Sequence, residues 1–491
     1  VALFNIDSDS FQKAVRSIQR RAERQEEISL VKSFVPNKVL EELDTPQNQL
    51  LFGRRGVGKT HTLKAFLGKK VQEGDLCHYI DCTAFGSGLA LDGSYKNIGI
   101  RFFSKFLSVL CDELLEDATR AEMPSRTLHN DLESILFQLS HLASPSSNGE
   151  TFNYLDITRF TTRFLDKLNA NHLTILIDEW AQIPENAQPY FAEFIKRAFF
   201  SNKRISFKIG VVDFAYKLCM RCDDHTIGLE KSADIFADIK MDRFFVWDEH
   251  SDFVEKFFAE VLYNHLAIEL NYNLDAKRDD KVNCISEDLF TQRRALSELC
   301  RSSEGNARDF LAIFGRAFNN FNQHNLHKNI SVEDVLHASQ SWYKSDKAMN
   351  ISSEKYLEDF LDNLVHSVIR DKKSRTFMVP SRSWNHPLLR RLFSARILHP
   401  LNIEWSHPDR PGERYSLITM DYGLYVSFKG TRNEPDQKLF WEINDAENAN
   451  REDLVPFDDR RSIRRIVLGE DVLEHYWGKL QKELSDSVKT T

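Results

Sequence analysis

The sequence predicts an α/β protein: a three-layer parallel sheet, then an all-helical region, then a smaller mixed domain. Three observations predict it. Short apolar runs of strand length alternate with helix-periodic segments through the first half of the 491-residue chain. A glycine-rich loop, GRRGVGKT, joins the first such run to the first helical segment. After about residue 245 the strand signals stop, and helical segments follow one another. Short buried strands alternating with helices read as a parallel sheet covered on both faces.

A chain of this length exceeds what one core supports, so two to four domains are expected. Hydrophobic residues at 42% and charged residues at 28% are ordinary for a globular protein. The net charge of -8 excludes a polyanion binder by bulk charge and leaves room for a local basic face. There is no 18-residue apolar run, so no membrane span is expected. The opening VALFNIDSDS is acidic and polar, unlike a secretory signal, and reads as a trimmed start because it lacks Met. Seven scattered cysteines suggest reduced thiols and a cytoplasmic setting. The one close pair, Cys219 and Cys222 in CMRC, lacks a second pair and reads as ordinary thiols.

The elements follow in order. Residues 1–30 form an N-terminal helical segment, charged and with few core positions. Residues 31–247 form the α/β core. Its strands are expected at 49–52, 78–82, 173–177, 205–212 and 235–241, and its main helices at 59–66, 97–116, 155–168 and 187–200. Residues 248–350 are helical, and the last helix opens on a capping box, Ser331 with Asp334 three on. Residues 351–432 read as two helices, EKYLEDFLDNLVHSVI and WNHPLLRRLFSARIL, then two strands, LNIEWSH and RYSLITMDYGLYVSF, around a DRPGER turn. Residues 433–491 are a helical tail.

The glycine loop carries the clearest chemistry. Gly53, Arg54, Arg55, Gly56, Val57, Gly58, Lys59 and Thr60 fit G-x-x-x-x-G-K-[ST] at every defined position, with a strand before and a helix after. Such a loop turns its backbone N–H groups onto phosphate oxygens, and its turns need positive φ, which glycine adopts cheaply. The fold class is therefore a P-loop NTPase. ATP is the expected ligand, bound by this loop and by the adjoining His61. Lys59 would reach the β- and γ-phosphates, Thr60 would offer its hydroxyl to Mg²⁺, and the helix dipole would add to both. Arg54 and Arg55 would lie over the nucleotide or face a neighbouring subunit.

A second element supports hydrolysis. LTILIDE is an apolar strand ending in two carboxylates, Asp178 and Glu179. Asp178 would orient Mg²⁺, and Glu179 would polarise the attacking water as a general base. A third, GNARDF at 305–310, places Arg308 at a helix start, where a guanidinium could reach a γ-phosphate.

Taken together, the chain resembles AAA+ ATPases of the origin-recognition/initiator-like branch, including its bacterial stand-alone relatives. GRRGVGKT, LTILIDEW, GNARDF and the 351–432 region carry the resemblance, over roughly residues 30–430. SFVPNKVLEEL resembles the segment that shapes the adenine pocket there. The resemblance implies an α-helical lid at 248–350 and a winged-helix domain at 351–432. It gives Asp178 and Glu179 the Walker B roles and Arg308 the role of sensing the γ-phosphate. The residue at the end of the 205–212 strand would also sense that phosphate. This makes Asp213 the candidate, where relatives more often carry Asn, Ser or Thr. An arginine donated to a neighbouring subunit's ATP should precede that strand; Arg197 and Arg204 both stand there. The family also implies homo-oligomers and a separate protein partner or effector, in bacteria often within antiviral or mobile-element systems.

Between Arg370 and Arg396 lie eight basic residues (370, 372, 373, 375, 382, 390, 391, 396) and one acidic residue, Asp371. In an acidic protein this is a local reversal of sign. It falls on the helix that enters the major groove in DNA-binding winged helices. Double-stranded DNA is thus an expected partner, through Arg382, Arg390, Arg391 and Arg396, with Arg410 and Arg414 on phosphates. A protein-binding surface is the competing reading of the same domain. Arg460, Arg461, Arg464 and Arg465 form a second basic cluster, and WEINDAEN around Glu442 is too short to mark a nuclease.

Overall fold

The computed structural model describes residues 3–18, 31–86, 94–120, 126–142, 152–231, 233–245, 247–324, 328–371, 374–406, 412–426 and 466–489. They form two compact units, one of residues 21–242 and one of residues 1–20 with 243–491.

The first unit is built on five parallel strands: β1 (Gln49–Phe52), β2 (Leu76–Asp81), β3 (Leu173–Asp178), β4 (Ile205–Val211) and, beyond a small hairpin of β5 (Cys219–Cys222) and β6 (His225–Gly228), β7 (Ala237–Lys240). The spatial order is β2-β3-β4-β1-β7. With flanking helices on the sheet, this is the α/β P-loop NTPase fold. β1, β3 and β4 are buried along their whole length. That is why β1 and β3 read as nearly continuous apolar runs and not as alternation, while β4, ISFKIGV, keeps Ser206 and Lys208 buried among its apolar residues.

Helix Lys59–Glu73 follows β1 and lies against β2, β3 and β4. It begins on Gly58 at φ 109° and ends on Gly74 at φ 80°, whose N–H bonds the carbonyls of Lys70 and Val71. Helix Tyr95–Arg120 packs on helix Gln188–Phe199, where a Cβ on Gly99 would lie 2.7 Å from that of Tyr190. Phe106 sits at the heart of this core, with ring contacts to Phe191, Phe199 and Phe207. Two elements carried no clear sequence signal. Helix Arg126–Leu142 joins the layer through Leu132, Ile135, Leu136 and Leu139. The β5–β6 hairpin is largely exposed and turns on Asp223 at φ 51°.

In the second unit, helices Trp247–Leu270, Arg278–Leu289, Arg293–Ser302, Ala307–His324 and Val332–Trp342 follow in turn. The Ser331–Asp334 capping box forms in both directions. The N-terminal helix Asp9–Ile18 belongs to this unit, with Phe11 against Phe318 and Phe4 against Tyr263.

Helix Lys355–Leu364 leads to β8 (Thr376–Pro380), helix Pro387–Ser394, β9 (Leu398–Ser406) and β10 (Arg414–Met420). These strands form an antiparallel sheet in the order β8-β10-β9. β8 was not expected; it lies inside the basic stretch, and its apolar run TFMVP is short. The expected strand through DYGLYV ends instead at Met420, and Tyr422–Val426 is helical. The cause is Asp421, fully buried, whose carboxylate accepts the Gly423 N–H at 3.0 Å and so turns the chain into the helix. The final helix, Glu470–Lys489, packs along helices Lys355–Leu364 and Pro387–Ser394.

Candidate nucleotide site

β1, β3 and β4 all end at one edge of the sheet, where α/β proteins place their ligands. The glycine loop leaves β1 there. Gly53 donates its N–H to the Val211 carbonyl at 3.3 Å, and a Cβ on it would lie 2.5 Å from Val57 Cγ1. Gly56 takes φ 91°. Only glycine meets both demands, the close approach and the left-handed turn.

Lys59 is buried, and its ammonium folds back on the carbonyls of Gly53 (2.7 Å) and Arg54 (3.3 Å). Burial pushes its pKa down, while Asp178, Asp242, Glu179 and Asp213 favour its charge. Arg54 is held by a residue the sequence reading missed. Asp242 takes its backbone N–H on one oxygen (2.9 Å) and its guanidinium on the other (2.7 Å). Arg55 is exposed, and its charge favours the ionised form of Glu179. Val57 is buried in the loop's floor. His61 packs its ring edge-on to Phe34 at 5.3 Å and faces the Ser33 hydroxyl at 3.4 Å. The helix thus meets the SFVPNK segment.

Across the loop, Thr60 donates its hydroxyl to Asp178 Oδ2 at 2.7 Å. Asp178 is fully buried and also accepts the Glu179 N–H on Oδ1 at 2.8 Å. Glu179 stands at φ 53°, a left-handed position that directs the chain away from the strand direction. Burial first, then the Asp178 charge, push the Glu179 carboxyl above its ordinary pKa. Asp213, just past β4, is pushed up to about 6 by burial and then by Asp242. A backbone cradle with no room for a Cβ, a buried lysine and a hydroxyl–carboxylate pair fit a nucleoside triphosphate with Mg²⁺. Lys59 and the loop would hold the phosphates, and Thr60 and Asp178 the metal.

The ORC-CDC6-like family matches residues 19–71, a stretch that contains this loop. Among solved structures, the chain is similar to a variant of Thermotoga maritima RuvB at 10% identity and TM-score 0.32, over 80% of this chain and 90% of that one. It is similar to C. elegans PCH-2 at 11% identity and TM-score 0.26, over 69% of each. No curated protein matches it.

The remaining candidates are placed as follows. Arg308 lies in the first turn of helix Ala307–His324 in the second unit. In that turn Asn306 caps the Asp309 N–H at 3.2 Å, and Asp309 is fully buried against Lys347 at 2.9 Å and against Arg396. Arg197 is in the last turn of its helix, bonded to Glu193 at 2.5 Å and lying over the Tyr154 ring. Arg204 opens onto the opposite edge of the sheet and is spent on Asp166 and the carbonyls of Ala170 and Asn171.

The basic stretch changes character in three dimensions. Arg396 does not face a duplex: it is buried at φ 59° and paired with Asp309 and Asp346. Arg375 is likewise buried, against Glu304. A linear count of charge cannot tell which side chains turn inward. Arg391 pairs with Glu354, and exposed Arg382 bonds Glu470 at 2.5 Å. Arg390 shares the helix Pro387–Ser394 with Arg391. Lys372, Lys373, Arg410, Glu442, Arg460, Arg461, Arg464 and Arg465 lie outside the described residues. Among the described residues one cluster has metal-ligating spacing, Glu304, His399 and Asp421. The Lys347 ammonium, 2.5 Å from Asp421, already supplies the cation there.

Proposed function

We propose that this protein is a Mg²⁺-dependent AAA+ ATPase whose nucleotide state controls assembly on double-stranded DNA, with a protein partner, or both. The observation that carries the enzymatic reading is the Thr60–Asp178 hydrogen bond with Glu179 beside it, at the mouth of a glycine loop. Mg²⁺, when bound, supplies positive charge to the β- and γ-phosphates. Lys59 adds a second positive charge. The raised pKa of Glu179 suits a base that takes a proton from water near neutral pH. Arg308 senses the γ-phosphate from the lid, and Arg197 serves a neighbouring copy in a homo-oligomer.

The test is Glu179→Gln. It should retain ATP affinity and lose roughly 10²–10⁴-fold in phosphate release. Wild-type turnover in this variant would refute the role.

The order helix, strand, helix, strand, strand in the C-terminal domain supports a winged helix with Pro387–Ser394 as its reading helix. Arg382, Arg390 and Arg391 are then the DNA candidates. Arg390 and Arg391 both changed to Glu should weaken duplex binding and flatten its salt dependence by about one to two phosphate contacts. An unchanged salt slope would refute DNA contact through this helix.

A second reading, a nucleotide-gated scaffold whose C-terminal domain binds protein, is favoured by one observation. Glu470 and Glu354 already counter Arg382 and Arg391, and helix Glu470–Lys489 runs along the same helix. On that reading turnover stays low with DNA present.

A further inference from the structure

We infer that Tyr79 is a positioning residue for the metal-carrying carboxylate: its hydroxyl fixes Asp178 so that Asp178 and Thr60 present one arrangement to a divalent cation. The inference rests on the ATPase reading above and concerns the same site.

The geometry is local. β2 and β3 pair in parallel with Tyr79 opposite Leu176 and Asp81 opposite Asp178. Side chains two apart on a strand share a face, so Tyr79 and Asp178 lie diagonally on one face of the sheet. The Tyr79 hydroxyl donates to Asp178 Oδ2 at 2.9 Å. That oxygen also takes the Thr60 hydroxyl at 2.7 Å, while Oδ1 takes the Glu179 N–H at 2.8 Å. Three donors therefore converge on a fully buried carboxylate.

Thr60 and Lys64 are one helical turn apart, and both reach this patch, with the Lys64 ammonium 5.3 Å from the Tyr79 ring centre. The phenol is thus clamped between helix and strand. Its effect passes through Asp178. Without the phenol, Oδ2 keeps a single side-chain donor and the carboxylate is held by two bonds in place of three. Partners that orient a metal-binding group in this way are commonly worth roughly 10–100-fold in metal affinity.

The experiment is Tyr79→Phe in the full chain, which keeps the ring and removes only the hydroxyl. Mn²⁺ binding is measured by electron paramagnetic resonance with a non-hydrolysable ATP analogue present. Nucleotide affinity is measured separately in EDTA. The expected result is Mn²⁺ affinity lower by roughly 10–100-fold, with nucleotide affinity in EDTA within about twofold of wild type. Wild-type Mn²⁺ affinity overturns the inference. An equal loss in both measurements also overturns it, because it marks a purely structural role. Asp178→Asn separates this failure from failure of the site itself. If that variant binds Mn²⁺ as wild type does, Asp178 carries no metal and the parent reading falls.

Discussion

Asp213 offers a quantitative test of the site's electrostatics. It is held just beyond β4, and burial followed by the Asp242 charge pushes its carboxyl up to about 6 from an ordinary 3.8. The folded state therefore holds a proton that the unfolded state has lost between these two values. Below 3.8 both states are protonated and Asp213 costs nothing. Above 6 the native carboxylate is charged in a poor environment and the full cost is present. At about 1.4 kcal/mol per tenfold change, that cost is ~3 kcal/mol at pH 8 and roughly half as much at pH 5. Asp213→Asn removes the charge and keeps the shape. It should raise stability toward urea by ~3 kcal/mol at pH 8 and by about half of that at pH 5. Urea denaturation of wild type and variant at the two pH values is the assay. No gain at pH 8, or an equal gain at both, would refute the reasoning.

Two further outcomes follow from the same physics. Glu179 acts as a base only when ionised, and its pKa is raised, so kcat/KM should begin to fall with decreasing pH above the ordinary 4.5 of a glutamate; a rate that holds constant down to 4.5 would contradict this. Lys347→Met should leave Asp309 and Asp421 as undercompensated buried charges and cost about 3–5 kcal/mol in thermal or urea denaturation. Asn at position 421 in the same chain should recover part of that loss, and a Lys347 variant as stable as wild type would show that the network is not structural.

Sequence and structure divide along physical lines. The phosphate loop was legible because its demands are local. Gly53, Gly56 and Gly58 answer to backbone torsions and close approach, and Lys59 and Thr60 follow at fixed steps. β1 and β3 were legible because complete burial leaves nearly continuous apolar runs. The Ser331 capping box was legible because its partners are three residues apart.

The missed ion pairs and hydrogen bonds depend on residues distant in the chain. Tyr79 and Asp242 reach the site across separations of 99 and 188 residues, to Asp178 and Arg54. Nothing in HYID or KMDR marks either one. Arg396 read as a surface charge because its neighbours in sequence are basic, yet Asp309 and Asp346 draw it into the interior from far upstream. The turn at Asp421, where a strand was expected, depends on Lys347 and His399 in the same way. The sequence by itself determined the nucleotide loop, the strand–carboxylate pair and the α/β class, through torsional and burial rules that act over a few residues. Which charges face water and which hold the fold together was decided only by the tertiary structure, because an ion pair depends on distance in space and not along the chain.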